Sequence, residues 1–415
     1  MNPVLTSADV LAMRMRALGL VPGAPVERRP GSDTNGATGP DGATGTDAGS
    51  GSDSGADRIA AVARHMLALQ GQDWRSSRWA LGVRAAHLAG DETTLAHVAA
   101  AFTEGRVVRT WPMRGTIHVV PAEDIGWVQS IAGARPLAGA AKRRAVLGLS
   151  DALLERLVEV SVQALRGGDG LSRGQLAETW TDAGIEWRSN WRYHVIWWLC
   201  QNGVAVFGPT DGVAEPRLVL AEEWIRDART PEHPAAELAA RYAAGRGPVR
   251  AKDLAWWAGI PAADAALGLD AAVEQGRLTR MRLADTTGAA GALWAPSDAL
   301  ETGSPVPEWL LLPAFDEHLL GYALRDPQLD PAHFERIVPG RNGMFLATVL
   351  HRGRVAGTWK RAARAGGGIE VAALPGARID LEALAPEAGR WAAFHGLEPG
   401  PIRHADAASA GRDGL

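Results

Sequence analysis

The sequence predicts an α+β protein of three tandem modules, each helix, helix, strand, wing, strand, followed by a β-rich C-terminal element. Three observations carry that expectation. Two short helices followed by two β-rich pieces recur three times along the chain. In each copy a glycine stops the second helix, at Gly105, Gly203 and Gly276. After Pro305 the texture changes to short apolar runs separated by turn candidates, Asn342-Gly343 and Arg352-Gly353.

Taken in order, the first module spans 1–24 and 58–145, opening with a helix from Ser7, its expected cap, to Leu18. Residues 25–57 interrupt it. Their core, GSDTNGATGPDGATGTDAGSGSDSGAD, holds too little apolar surface to offset the entropy of ordering, so a disordered acidic insert is expected. Beyond it, Val107 to Val120 reads as a hairpin or wing. The second module, 146–230, contains LSRGQLAETW with Ser172 placed to cap a helix, and a hairpin turning at Thr210 to Gly212. The third, 231–304, contains VRAKDLAWWAG, which shares with LSRGQLAETW the order basic residue, leucine, tryptophan. This ground plan is that of the winged helix, which presents one helix to a DNA groove. The β-rich element covers 305–400, and 401–415 read as a frayed tail.

Net charge is −4, but the insert's five aspartates account for it; without them the remainder carries +1. That remainder is polarised, since Arg336 to Gly368 contains seven Lys and Arg and no acid, and Arg135, Lys142, Arg143 and Arg144 form a second basic run. Basic faces on a near-neutral body suit a partner that is double-stranded DNA. Solvated faces balanced by acids elsewhere in space are the competing reading. No apolar run is long enough to cross a bilayer, so a cytoplasmic protein with no membrane partner is expected, and nothing points to an obligate protein partner. The single cysteine, Cys200, excludes an internal disulfide and reads as a small buried hydrophobe beside Trp197 and Trp198.

Familiar catalytic constellations are missing: no phosphate-cradling glycine loop, no HExxH, no cysteine pair. Asp316-Glu317-His318 are consecutive and cannot all face one point from regular structure, so they read as a cap and turn rather than a metal site, and no cofactor is expected. Gln70-Gly71-Gln72 closes the apolar helix IAAVARHMLAL. On spacing alone it reads as solvated glutamines at a fraying helix end, with Gly71 permitting the backbone to depart between the two amides.

LALQGQDW, then VVRTWPMRGTIHVV, LLPAFDEHLLGYALRD and VLHRGRVAGTWKR resemble, in order, the AlkZ-type family of winged-helix DNA glycosylases, over a stretch from Leu5 to about residue 375. The resemblance implies three winged helices in a C-shaped clamp and a catalytic Gln-x-Gln pair, here Gln70 and Gln72. It also implies a cofactor-free, monofunctional enzyme that excises N7-alkylated guanine or adenine or unhooks interstrand crosslinks, as in antibiotic producers protecting their own DNA. Gly71 departs from the family, which usually has a larger apolar residue there. An N7-alkylated purine is cationic and leaves readily, so positioned amides suffice to hold a water and stabilise the developing sugar cation.

Arg114, Thr116 and His118 alternate along one expected strand and so share a face toward the lesion or a phosphate, or form the polar outside of an ordinary hairpin. Arg341, Arg352, Arg354, Lys360 and Arg361 are the candidates for contacts to the DNA backbone. Trp74, Trp111 and Trp359 read as core, with stacking on bases as the alternative. Two rivals remain: a non-catalytic winged-helix regulator, which has no need of the glutamine pair, and a hydrolase using Asp316 or His318, which lacks a paired base and nucleophile.

Overall fold

The computed structural model describes residues 2–23, 55–88, 92–284, 286, 291–300, 304–362 and 367–405. Most of the expected acidic insert, and residues 406–415 of the expected tail, lie outside the described residues. The α+β class holds, and the three glycine-stopped helices are real. Gly105, Gly203 and Gly276 have φ of 71°, 70° and 73°. At each, the amide of the following residue reaches back to a helical carbonyl, Arg106 to Ala101, Val204 to Leu199 and Arg277 to Ala272. A residue with a Cβ pays for left-handed φ, so glycine at this place is what lets each helix turn directly into its strand.

The hairpins assemble into three sheets. Val107–Met113 and Thr116–Pro121 pair antiparallel around Arg114 and Gly115, which both have positive φ, 55° and 68°, as a two-residue hairpin turn with the strands' own twist demands. The second module's Ala205–Phe207 and Leu218–Leu220 extend the same sheet, joined to the first through Arg109 opposite Phe207. The third module's Leu278–Leu283 and Ala292–Pro296 form a separate sheet. Its edge is Val4–Leu5, which runs parallel to Leu278–Leu283. Leu5, Val10 and Met13 pack with Met281, Leu293 and Ala295, so the N-terminal segment expected with the first module completes the third. Its helix is Ser7–Ala17, capped by Thr6 rather than Ser7, because the Thr6 side chain and Asp9 satisfy each other's backbone amides.

In the C-terminal element Trp309–Leu312, Thr348–His351, Arg354–Arg361 and Gly367–Ala373 form an antiparallel run. Arg352 and Gly353, φ 48° and 82°, make its tight turn. Two features depart from expectation. Leu381–Phe394 is a helix, capped by the Asp380 carboxylate and accommodating Pro386 within it, where only strands were read. Pro399–His404, which straddles the expected boundary between the β-rich element and the tail, adds a parallel strand with Ile402 opposite Ile369, which brings Ile402 against the core. Where a sheet edge is open, a short apolar-containing segment gains a ladder of hydrogen bonds by joining it.

A second-module core around Leu157, Trp180, Val195, Leu199 and Cys200 also takes in Trp111 and Ile117 of the first hairpin. A larger core runs across the first and third modules and the C-terminal element, beside the small N-terminal cluster around Leu5 and Met281. Trp180 is fully buried, donates its Nε1 hydrogen to Ser161 Oγ at 2.9 Å and meets Trp187 edge to face at 5.6 Å. Trp180→Ala should therefore cost about 3–5 kcal/mol. Urea denaturation reads this directly, and a loss under 1 kcal/mol would mean the module repacks around the void.

Burial also sets an acid limit. His65, His87 and His318 are held neutral, their pKa values pulled down to about 4 chiefly because burial disfavours the charged ring. In the unfolded chain they take up protons near pH 6.5, so below that pH the unfolded state binds protons the fold refuses. Stability should be flat above about pH 7 and fall as pH drops toward 4, by on the order of 1 kcal/mol per histidine at about pH 5.5. Denaturation midpoints that rise on acidification would contradict this.

Candidate active site

The tripeptide Gln70-Gly71-Gln72 does not close a helix. Gly55–Met66 ends earlier, and the chain leaves it at Leu67, which takes φ of 58°. Leu69–Gln70 is then a two-residue strand on the edge of the sheet, antiparallel to Thr116–Pro121, with Gln70 directly opposite His118 and Leu69 opposite Val119. The Gly71 amide continues the ladder to the Ile117 carbonyl at 2.9 Å.

Gly71 is not at positive φ; its small size serves a close approach. A Cβ there would sit 3.0 Å from the His118 carbonyl carbon and 3.1 Å from the Val119 nitrogen. The carbonyls on this turn are held from below. Arg109 donates from Nε to the Gly71 carbonyl at 2.7 Å and from Nη2 to that of Gln72 at 3.3 Å. Burial lowers its pKa to about 10, with Glu215 opposing the shift, so the guanidinium is still cationic at neutral pH.

The two glutamines differ in what their side chains do. Gln70 Oε1 accepts from the backbone amide of Gly71 at 3.0 Å, sharing that hydrogen with the Ile117 carbonyl, and from the amide of Gln72 at 3.3 Å. Its Nε2 is left to donate outward. The Gln72 side chain is exposed and makes no hydrogen bond to the described residues. Below them, the Gln70 amide donates to Glu317 Oε1 at 3.2 Å, while Glu317 Oε2 accepts from Arg246 at 2.7 Å and from Trp257 Nε1 at 3.0 Å. Arg246 in turn grips the carbonyls of Met66 at 2.9 Å and Ala68 at 2.7 Å.

Asp316-Glu317-His318 thus become three structural anchors facing three ways. Asp316 caps Glu317–Leu320 and takes a bidentate bond from Arg84 at 2.8 and 2.9 Å; burial alone would raise its pKa, but the guanidinium holds it below the usual range. His318 donates to the Gly353 carbonyl at 2.9 Å. Neither serves hydrolytic chemistry in this setting. Among the described residues no cluster of three or more His, Cys, Asp or Glu is placed to hold a metal ion.

Arg114, Thr116 and His118 do not share an outer strand face. Arg114 lies in the turn at positive φ, and its guanidinium folds back to within 3.2 Å of His118 Nε2. His118 is fully buried, with Nδ1 2.9 Å from the Thr116 carbonyl, so Nδ1 carries the proton and Nε2 accepts from Arg114. Burial first, and the Arg114 charge second, keep that ring neutral well below pH 6.5. His118 therefore cannot touch a phosphate itself, and its ring meets the Arg114 guanidinium instead. Thr116 Oγ1 is buried without a hydrogen-bond partner among the described residues.

The C-terminal basic candidates belong to another sheet region, and acids absent from their own stretch of sequence meet them in space. Arg341 lies 3.7 Å from Glu335, Arg352 3.3 Å from Glu308 and Lys360 3.7 Å from Glu370. Arg354 donates to the Pro327 carbonyl at 2.9 Å. Arg361 is exposed with no partner among the described residues. No contact joins any of the five to the glutamines. The three tryptophans set aside as core are core: Trp74 and Trp111 are buried, and Trp359 spends its Nε1 hydrogen on the Leu312 carbonyl. Sequence reasoning missed Arg109, Arg246 and Glu317, although the RTWPMRG and FDEHLL stretches that contain two of them stood out.

The close approach at Gly71 makes a prediction. Gly71→Ala should cost about 1–3 kcal/mol, because the methyl group must push the His118 backbone aside by a few tenths of an ångström. A thermal melt at the parent temperature would show that this strand yields freely.

Comparison with known proteins fits this geometry. A family model described as DNA glycosylase AlkZ-like matches residues 63–394. The solved structure of Streptomyces sahachiroi DNA glycosylase AlkZ superposes with a TM-score of 0.68, covering 97% of this chain and 100% of that one at 19% identity, a likeness of fold. Among curated proteins none matches. The family match spans most of the chain, including the glutamine strand, the hairpin opposite it and the Glu317 anchor. The chain belongs to the AlkZ-like family of DNA glycosylases.

Proposed function

We propose that this DNA glycosylase hydrolyses the N-glycosidic bond of N7-alkylated guanine or adenine in double-stranded DNA, including bulky and crosslinking adducts, with Gln70 and Gln72 as its catalytic residues. The observation that carries the reading is the pinned glutamine strand. A carboxamide whose carbonyl is held by the backbone amides of its own turn, beside a second carboxamide open to solvent on that turn, places one fixed and one free polar group side by side.

The division of labour follows from those bonds. Gln72 Oε1 accepts a hydrogen from the attacking water, and Gln70 Nε2 donates to the water oxygen or to the sugar-phosphate beside it. The water oxygen bonds to C1′ as the bond from C1′ to the base breaks. The electron pair stays with the base and cancels the positive charge that alkylation gave it, and the spare proton passes to solvent. No acid is needed for a base that leaves neutral, so a pair without a carboxylate is sufficient. Arg114, steered by His118, is the cation for a neighbouring phosphate, and Arg361 is the most available of the C-terminal contacts. A bacterial nucleoid setting, and protection from a genotoxic product, follow from the same substrate class.

Gln70→Ala and Gln72→Ala should each slow single-turnover release of 7-methylguanine from duplex DNA by about 100-fold or more, with duplex affinity changed little. Release by both variants at the parent rate would remove the glutamines from the chemistry.

A further inference from the structure

Each glutamine of the pair is set by a different buried arginine. Gln70 hangs from Glu317 and Arg246, whereas the backbone beneath Gln72 rests on Arg109. The difference matters because the Gln72 side chain is exposed and makes no hydrogen bond to the described residues, so the course of its backbone is what places it. That backbone is a short bridge. On one side the Gly71 amide is bonded into the sheet. On the other the Asp73 carboxylate caps the helix Trp74–Leu88, accepting from the Arg75 amide at 2.9 Å and the Ser76 hydroxyl at 2.8 Å. Between these two fixed ends, the carbonyls of Gly71 and Gln72 converge on one guanidinium.

Arg109 is 1% exposed, and every nitrogen of its fork is committed. Nε and Nη2 hold the two carbonyls, and Nη1 lies 3.5 Å from Oε1 of Glu215 in the second module. The other Glu215 oxygen lies 3.1 Å from Arg173 Nε, at the start of the helix Arg173–Asp182. Both cations also crowd one ring, Arg109 at 5.8 Å and Arg173 at 5.0 Å from the centre of Phe207. A carboxylate between two guanidiniums offsets their repulsion and fixes the direction in which each points. The loop that carries Glu215 is braced for this. Asp211 accepts from the amides of Val213 at 2.8 Å and Ala214 at 2.7 Å, the Thr210 hydroxyl donates to the Ala214 carbonyl at 2.8 Å, and Arg78 of the first module donates to the Gly212 carbonyl.

We infer that Glu215 is a positioning residue for base excision: from the second module it holds the Arg109 guanidinium against the Gly71 and Gln72 carbonyls, and so fixes the backbone from which Gln72 acts. It works through Arg109 rather than on the substrate. The second module thereby contributes to the rate of excision. The inference rests on the catalytic role proposed above for Gln72.

The test is a double-mutant cycle on the full chain, read by single-turnover release of 7-methylguanine from duplex DNA and by duplex affinity. The variants are Gln72→Ala, Glu215→Ala, the two combined, and Arg109→Lys. Glu215→Ala truncates a half-exposed side chain, and Arg109→Lys keeps the charge but cannot fork onto two carbonyls. Glu215→Ala and Arg109→Lys should each slow release by about tenfold, since displacing a placed group by about 1 Å costs about a hundredfold and these changes move Gln72 by less. Duplex affinity should not fall with Glu215→Ala, which only removes a negative charge. In the Gln72→Ala background, Glu215→Ala should slow release no further, because the group it places is gone. A merely structural role would slow both backgrounds alike. Either Glu215→Ala or Arg109→Lys at the parent rate beside a slow Gln72→Ala, or an equal loss from Glu215→Ala in both backgrounds, would overturn the inference. Gln72→Ala at the parent rate is a different signature: it would overturn the glutamine assignment and take this inference with it.

Discussion

One buried carboxylate, Glu317, is the contact on which the site depends. Its two oxygens accept from the third module through Arg246 and Trp257, and from the first module through the backbone of Gln70, while its own chain belongs to the C-terminal element. A carboxylate this deep is tolerable only if every lone pair is met, and here the partners come from every part of the shared core. Arg246 closes the arrangement by binding the carbonyls of Met66 and Ala68, the residues between the end of a helix and the glutamine strand. Removing Arg246 would strand the carboxylate without its cation. The position of the glutamines is thus tied to the joint between modules rather than to local turn chemistry.

This division between interior and surface explains why charge counting was a weak guide. Arg14, Arg84, Arg109, Arg241 and Arg246 are among the most completely buried side chains in the protein. Arg84 and Arg246 fork onto Asp316 and Glu317, and Arg109 onto the Gly71 and Gln72 carbonyls, which lysine cannot copy, while Arg14 and Arg241 each reach Asp253 and Asp124 through one nitrogen. They serve as clamps between segments far apart in sequence. Meanwhile the run from Arg336 to Gly368, acid-free as a string, is met by Glu308, Glu335 and Glu370 once folded. The basic face is smaller than the string suggests.

What the sequence made legible was whatever local chemistry fixes. Gly105, Gly203 and Gly276 announced three helix ends because only glycine takes left-handed φ freely, and Ser172 announced a cap because its hydroxyl bonds three residues ahead. The strand at Leu69–Gln70 was illegible, since a two-residue strand has no periodicity and exists through His118, Arg109 and Glu317, each at least 37 positions away. Val4–Leu5 and Pro399–His404 escaped for the same reason: each completes the edge of a sheet built elsewhere. The glutamines themselves were found only through the motifs around them, because two amides carry no compositional signal.

Locking one glutamine has a chemical consequence. A free carboxamide can present either end to a substrate, and choosing one costs entropy at the moment of reaction. Gln70 has made that choice in advance by placing its oxygen on the Gly71 and Gln72 amides, which turns its NH2 outward and stiffens the turn that carries Gln72. A carboxylate at position 70 would accept the same two bonds but offer no donor, and it would set a fixed negative charge beside DNA phosphates. On the proposed reaction, neutral amides would avoid that repulsion while Gln72 still presents a carbonyl dipole to the sugar as it becomes positive. For a base that departs without protonation, polarity held in place would be worth more than acidity, and the fold ties the glutamine strand to a buried ion pair.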